Sequence, residues 1–428
     1  MSLVINGGGL DLGTFDNALK IIYSKQAVVD ETYKNRPFHG LVPKDTDFTG
    51  RFYVQDVITS LPQGRSATFA NAQANKSGLN INQFTIVRAY DFALASVDLW
   101  TMFASADDKG ALLDALTSAI NGARGTLMRS AAIAEFRDGT GDLGVVTVNS
   151  TGASGTITVQ VATDITNYEV NQVVNFYANT NFSAGTATKR TGTATACIVT
   201  KVDRVGGVVT FSATAANGVP TDAVTGDHVV TDGDYGTQTI AGVTAFTKIA
   251  GLAAWLPYGG PTSTSFMGLD RTQDGVRLGG WSSNQIGKAE DEALLNASYE
   301  IFMYGGGSPS HAFVSPNRFN NIAKLLGPQR RYEGVKATSG AIGYDALVVM
   351  GQGREIKVLA DPNCPDNRGY LLTLDEWKLK TLGQMPRFLN PNSKTLLEPT
   401  ANRVEVRCGY AGNLLTKAPG HSGVVAFA

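Results

Sequence analysis

Apolar positions recur through residues 105–137 at the spacing of a helix. Leu112, Leu116, Ile120, Ala123, Leu127, Ala131 and Ala134 follow one another at intervals of three and four, which keeps them on one helical face. Ser105 with Asp108 suits an N-cap, Asp107 and Asp108 suit the positive end of the helix dipole, and Arg137, Asp138, Gly139 and Gly141 close the run. The pattern predicts a helix of about thirty residues, on the order of 45 Å long. A compact domain rarely needs one so long. It reads as a spine to which flatter parts attach, with Gly122 and Gly125 as its weak points.

Residues 14–34 predict another amphipathic helix, with Phe15, Leu19, Ile22, Val29 and Tyr33 on one face and Pro37 as its stop. Residues 1–13 form an arm with no core of its own. Residues 50–58 and 83–92 read as strands. Between them, residues 62–80 hold almost no large apolar side chain. A hairpin with a structureless connection that long is uncommon in a compact domain. Either the tip is disordered, or something outside the subunit orders it. Residues 97–103 predict a short helix leading into the spine.

From residue 141 to about 247 the period changes to two. Residues 156–161, 172–177, 196–202, 207–211 and 227–230 alternate as short strands between Gly, Asn and Asp turns, the mark of a small barrel or sandwich. The segment lies between helical regions and reads as an insertion. Residues 285–304 predict a second long helix, with Ile286, Ala289, Ala293, Ala297, Ile301 and Tyr304 as its stripe. The remainder reads as α/β. A strand at 311–315 leads to a helix opened by Ser315-Pro316, and a polar, basic loop follows at 329–340. Strands are expected at 347–350, 356–359, 370–374, 403–407 and 423–427.

Composition narrows the function. Charged residues make up only 17% and glycines number 48, which leans towards β-structure and surfaces covered by other subunits. A net charge of −1 leaves no basic footprint for nucleic-acid recognition as the main role. Cys197, Cys364 and Cys408 are too far apart for a CxxC or a disulfide framework and read as buried thiols. The first residues lack the features of a signal peptide, and no apolar run reaches transmembrane length.

Chemistry is sparse. There is no GxxxxGK[ST], GxSxG or HExxH motif. Gly351-Gln-Gly353 reads as a hairpin turn, and the Gly7–Gly9 run reads as flexible arm. His39, His228, His311 and His421 show no ligand spacing, and Asp375-Glu376 reads as a solvated helix start. No catalytic, cofactor-binding or metal-ligating residue is expected. Arg51, Arg65 and Lys76, in or beside the long loop, serve either solubility or salt bridges to a neighbouring subunit.

The order of these parts resembles the major capsid proteins of tailed double-stranded DNA bacteriophages, an α+β class with the Hong Kong 97-type fold. The residues that carry it are 312–323 (Ala-Phe-Val-Ser-Pro-Asn-Arg-Phe-Asn-Asn-Ile-Ala), the paired strands at 356–361 and 370–374, and the ending at 404–419. The resemblance implies an N-arm at 1–46, an extended loop at 47–92 lying over the adjacent subunit, and a peripheral domain at 93–140 and 251–308. An axial domain would occupy 309–400 and closing strands 401–428. Residues 141–250 exceed the minimal fold and would be an inserted all-β domain.

The function so implied is self-assembly, as hexamers and pentamers, into the icosahedral head shell around the phage DNA, with no turnover and no cofactor. Assembly would take place in the host cytoplasm. Either a separate scaffolding protein acts or a prosegment is removed; a portal and decoration proteins would be further partners, with no membrane and no sequence-specific DNA contact. Contact candidates are Arg51, Arg65, Phe69, Lys76, Gln329, Arg330 and Arg331. Some relatives cross-link a loop lysine to a neighbour's asparagine; Lys76 is the only lysine in the tip, and no matching Asn and Glu motif accompanies it. The rivals are a cargo-loaded nanocompartment shell of the same fold and a β-rich adhesion protein. The inserted segment and chain length weigh against the first, the two long helices against the second.

Overall fold

The computed structural model describes residues 36–105, 115–192, 194, 196–262, 265–325, 347–352, 354–389, 396–398 and 401–427. The expected arm at 1–13, the helix at 14–34, residues 106–114 of the spine and the loop at 329–340 lie outside the described residues.

In chain order the elements begin with α1 (Pro37–Leu41), β1 (Lys44–Asp45), β2 (Tyr53–Ser60), α2 (Phe69–Ala74), β3 (Asn80–Ile86), β4 (Ala89–Asp98), α3 (Leu99–Ser105) and α4 (Ala115–Phe136). Then come β5 (Asp142–Ser150), β6 (Thr156–Val159), β7 (Val173–Tyr177), β8 (Cys197–Asp203), β9 (Val208–Phe211), β10 (His228–Thr231), β11 (Thr237–Ile240) and β12 (Val243–Phe246). Short helices α5 (Leu252–Trp255) and α6 (Gly275–Gly279) lead to β13 (Trp281–Asn284), α7 (Glu290–Glu300), β14 (His311–Val314) and α8 (Pro316–Leu325). Last are β15 (Leu347–Met350), β16 (Glu355–Ala360), β17 (Arg368–Leu372), β18 (Trp377–Thr381), β19 (Arg387–Phe388), β20 (Leu396–Leu397), β21 (Arg403–Thr416) and β22 (Gly423–Ala426).

α4 is the described part of the spine. Ala123, Leu127, Ala131 and Ala134 are buried in the main core, as their spacing requires. The helix runs unbroken through Gly122 and Gly125, where open space surrounds both glycines. It packs across β4 and β21. β21 organises the sheet beneath. β4 pairs with it from Arg403↔Asp98 to Gly412↔Ala89, and β20, β19 and β18 pair with it in succession. The chain crosses the end of α4 at Gly251, where a Cβ would lie 2.3 Å from the Ala134 carbonyl oxygen, so only glycine fits.

β5 to β10 close into a six-stranded barrel in the order β10-β5-β6-β9-β8-β7. Val146, Ile157, Val174, Phe176, Val199, Val209, Phe211 and Val229 fill it, the inward half of an alternating pattern. A further six-stranded sheet runs β13-β22-β17-β14-β16-β15, with Ala293, Leu294 and Ala297 of α7 and Ile301 just after it packed in one core with Val349, Ile356, Val358 and Leu371 from its strands.

Several expectations are corrected. The strand expected at 83–92 is two strands. β3 pairs with β2 while β4 pairs with β21, so the chain changes sheets at Val87 and Arg88. The side chains of Asn413 and Gln238 donate to the Val87 and Arg88 carbonyls and hold that break. The loop tip is not structureless, because α2 lies within it. β5 was not anticipated. The helix expected from 285 starts only at Glu290, since Gln285 is buried and bonds to Ser283 and Glu300 instead. It ends in a π-helical turn at Ile301–Gly305. Asp375 and Glu376 belong to a 3-10 turn.

Candidate subunit-contact surfaces

β2 and β3 form an antiparallel hairpin registered from Tyr53↔Ile86 to Ser60↔Asn80. Opposed residues share a face. The face of Tyr53, Phe84 and Ile86 turns into the main core. On the other face, Ile58 lies opposite Ile81, and both are exposed. Leu61, Leu79 and Phe69, itself 83% exposed, continue this set to the tip. The tip holds itself together. Gln63 N–H donates to Ser77 Oγ at 2.7 Å, and Gly64 sits against the Ala72 carbonyl. Arg277 Nη1 donates to the Thr59 carbonyl at 3.2 Å and ties the hairpin to the body.

β4 shows a second uncovered face. Ala89, Ala93 and Ala95 turn into the main core, and Val97 is buried on the same side. Tyr90, Phe92 and Leu94 alternate outward and are exposed, with Leu389 beside Phe92 over Gly409. Trp100 and Phe103 of α3 extend the apolar surface as an edge-on pair 6.5 Å apart, with Trp100 71% exposed. Asp98 accepts the Trp100 and Thr101 N–H groups and so fixes that turn.

Charged groups inside the subunit bind its parts to one another. Lys248 Nζ lies 2.7 Å from Asp91 Oδ2 and 3.1 Å from Asp234 Oδ2, and donates to Ser130 Oγ, joining β4, α4 and the barrel's exit. Arg129 donates to the carbonyls of Thr166 and Tyr168, and Arg137 pairs with Asp164. Arg129 of α4 and Arg137, just past its end, thus grip one segment of the barrel. Burial pushes the Asp164 carboxyl up to about 6 against the opposing pull of Arg137. Thr163 Oγ1 accepts the Asp366 N–H and ties the same segment to the loop before β17. His39 Nδ1 lies 2.6 Å from Glu135 Oε1, and Asp361 Oδ2 accepts the Phe38 N–H, so α1 is pinned both to the end of α4 and to the residue after β16. Cys197, Cys364 and Cys408 are buried free thiols; burial raises Cys364 well above the ordinary thiol value and pushes Cys197 up to about 12. These charges pair with one another, and Asp91, Ser130, Asp234 and Lys248 also line a cavity of about 420 Å³. Among the described residues there is no group of three or more metal-ligating side chains and no helix long and apolar enough to cross a membrane.

The family model of the SU10 major capsid protein matches residues 148–395, more than half of the chain. The chain belongs to the SU10 major capsid protein family. Its fold is similar to the capsid asymmetric unit of cyanophage A-1(L), with a TM-score of 0.52, 14% identity, and 95% of this chain and 97% of that one covered. The capsid of the native GTA particle matches at TM-score 0.46 and 11% identity, over 94% of this chain and 95% of that one. The holo-SrpI encapsulin of Synechococcus elongatus PCC 7942 matches at TM-score 0.45 and 8% identity, over 97% and 95%. Comparison with curated proteins finds no match. The protein is therefore a major capsid protein of tailed-phage type. It has a mixed α+β fold like that of Hong Kong 97-type capsids, self-associates, and forms the virion's head shell.

In this capsid protein the contact candidates fall as follows. Arg65, Phe69 and Lys76 sit exposed on the hairpin tip, and Arg51 sits exposed just before β2. The three cations form no ion pair among the described residues. Gln329, Arg330 and Arg331 lie outside the described residues. The sequence reading missed Ile58, Ile81 and the outer face of β4. The alternation of Tyr90, Phe92 and Leu94 with Ala89, Asp91, Ala93 and Ala95 was the available signal, since a strand apolar on both sides has two surfaces to cover.

Proposed function

We propose that the capsid subunit joins its neighbours through the β2–β3 hairpin, laid across the adjacent subunit of a hexamer or pentamer. The observation that carries this reading is the uncovered apolar set Ile58, Leu61, Phe69, Leu79 and Ile81 on an otherwise well-hydrogen-bonded hairpin. A patch of that kind marks a protein contact, and a capsid subunit has its own copies as partners. The outer face of β4, with Tyr90, Phe92, Leu94 and Leu389, is the receiving surface. Arg51, Arg65, Lys76 and the 329–331 segment supply charged contacts around it.

In the same reading, residues 1–46 are the N-arm and 47–92 the extended loop. Residues 93–140 and 251–308 make the peripheral domain, 141–250 the inserted β-domain, 309–400 the axial domain, and 401–428 the closing strands. A separate scaffolding protein, a portal and decoration proteins complete the head. DNA is enclosed without sequence-specific contact, in keeping with the net charge of −1. A photo-reactive residue in place of Phe69 tests the hairpin. In assembled shells it should link to the 90–94 strand of another subunit, and links confined to its own chain would overturn the proposal.

A further inference from the structure

α7 is apolar on two sides. Ala293, Leu294, Ala297 and Ile301 are buried against the sheet. Leu295 and Tyr299, one turn apart, are exposed, and so are Phe302 and Met303 in the π-helical turn that follows α7. The Tyr299 hydroxyl donates to Met303 Sδ at 3.1 Å, which ties two turns of this stripe together. An exposed apolar stripe of this kind marks a contact with another protein surface.

The opposite face of the same sheet carries a matching patch at its β15–β16 edge. In register, Leu347↔Val358 and Val349↔Ile356 turn towards α7, while Val348↔Lys357 and Met350↔Glu355 turn away. Val348 and Met350 are exposed, with Met350 at 66%. Charge distinguishes the two patches. Asp291 stands one turn before Leu295 on the α7 stripe, and Lys357 stands beside Val348. Neither makes an ion pair among the described residues. Arg354 adds positive charge at the β15–β16 turn, partly offset by Asp375 at 3.9 Å and by Glu355. His311, next to Lys357 in register, senses the balance. Its pKa is held below the ordinary value first by burial, then by Lys357 and Arg354, with Asp375 opposing.

Two different patches on opposite faces of one sheet cannot both serve a single self-complementary contact. They suit a head-to-tail contact, which closes into a ring when the rotation between subunits allows. We infer that the α7 stripe of one subunit seats the Val348–Met350 patch of the next, with Asp291 meeting Lys357, and that repetition of this contact closes the capsomer. The inference rests on the proposed reading that the axial domain, 309–400, meets its copies around the capsomer centre, and it adds α7, from the 251–308 segment, as the surface that receives them.

The test uses the full-length protein under conditions in which the unsubstituted chain forms shells. A Tyr299→Cys, Val348→Cys double variant is treated with a short bis-maleimide. A ladder of cross-linked oligomers up to the closed ring is expected, with no linked species from either single variant, since the native cysteines are buried. Shells that form but give no ladder would overturn the inference and leave the hairpin contact standing. Dimers from Tyr299→Cys alone would overturn it in favour of a two-fold contact. Charge reversal supplies a second measurement. Lys357→Glu should abolish ring formation without moving the melting temperature, and Asp291→Lys in the same chain should restore it. Failure of the double reversal to restore rings would count against the Asp291–Lys357 pairing. If the shells of the unsubstituted chain prove not to be built of closed rings, the axial reading itself fails, and this inference with it.

Discussion

Ile58 and Ile81 face each other across the β2–β3 hairpin and are 46% and 56% exposed. A cross-strand apolar pair stabilises a hairpin, yet it normally does so against a core. Here it lies on the face turned away from the subunit's own core. Replacing either residue by Lys should shift the subunit's unfolding free energy by no more than about 0.5 kcal/mol, as for other surface changes. Shell formation should be lost. Calorimetry with negative-stain microscopy of the same preparations checks both halves, and normal shells from Ile58→Lys would remove the hairpin from the contact.

Deleting residues 63–79 and closing β2 to β3 with a two-residue turn should leave the subunit folded. The tip's own contacts, Gln63 to Ser77 and Gly64 to Ala72, disappear with it, and the root stays tied by Arg277. Assembly should fail. Intact particles from the shortened chain would show that the tip is dispensable.

Lys248 is buried between Asp91 and Asp234. Lys248→Met would leave both carboxylates without their cation, and breaking a buried pair in this way costs about 3–5 kcal/mol. Urea denaturation measures it. A loss below about 1 kcal/mol would mean that water already shares the site.

Asp164 gives a pH signature. Its carboxyl titrates near 6 in the folded chain, above the ordinary 3.8, because burial outweighs the pull of Arg137. Between about 4 and about 6 the folded chain therefore keeps a proton that the unfolded chain releases, and this residue's contribution to stability falls as pH rises through that window. Asp164→Asn removes the dependence. The stability of the natural chain relative to the variant should decline from pH 4 to pH 6.5 and then level off. A difference that rises over the same range would contradict the assignment.

The spine was legible because its apolar spacing is local, and Ala123, Leu127, Ala131 and Ala134 are buried as that spacing requires. The break between β3 and β4 was not. It is set by Asn413, whose side chain reaches the Val87 carbonyl from the far end of the sequence. The start of α7 was hidden for a similar reason, since Gln285 is held by Ser283 and Glu300 and leaves no local mark. Among contact candidates, Phe69 stood out as a lone large apolar residue in a polar tip. Ile58 and Ile81 look like ordinary core positions until the hairpin register shows which way they turn. The exposed stripe of α7 is hidden in the same way, because apolar residues on two helical faces read in sequence as one broad stripe.

β21 is the strand to which β4, β18, β19 and β20 all pair, and β22 stands between β13 and β17 in the other sheet. Both strands come from residues 403–426, after every other described strand and α-helix in chain order. A nascent chain on the ribosome can thus close its barrel early but can complete neither sheet until those residues emerge. The hairpin and the α7 stripe have no finished body to present before then. Synthesis itself delays the moment at which a subunit becomes competent to meet another, and a chain cut short before Arg403 would lack the frame on which to add itself to a growing shell.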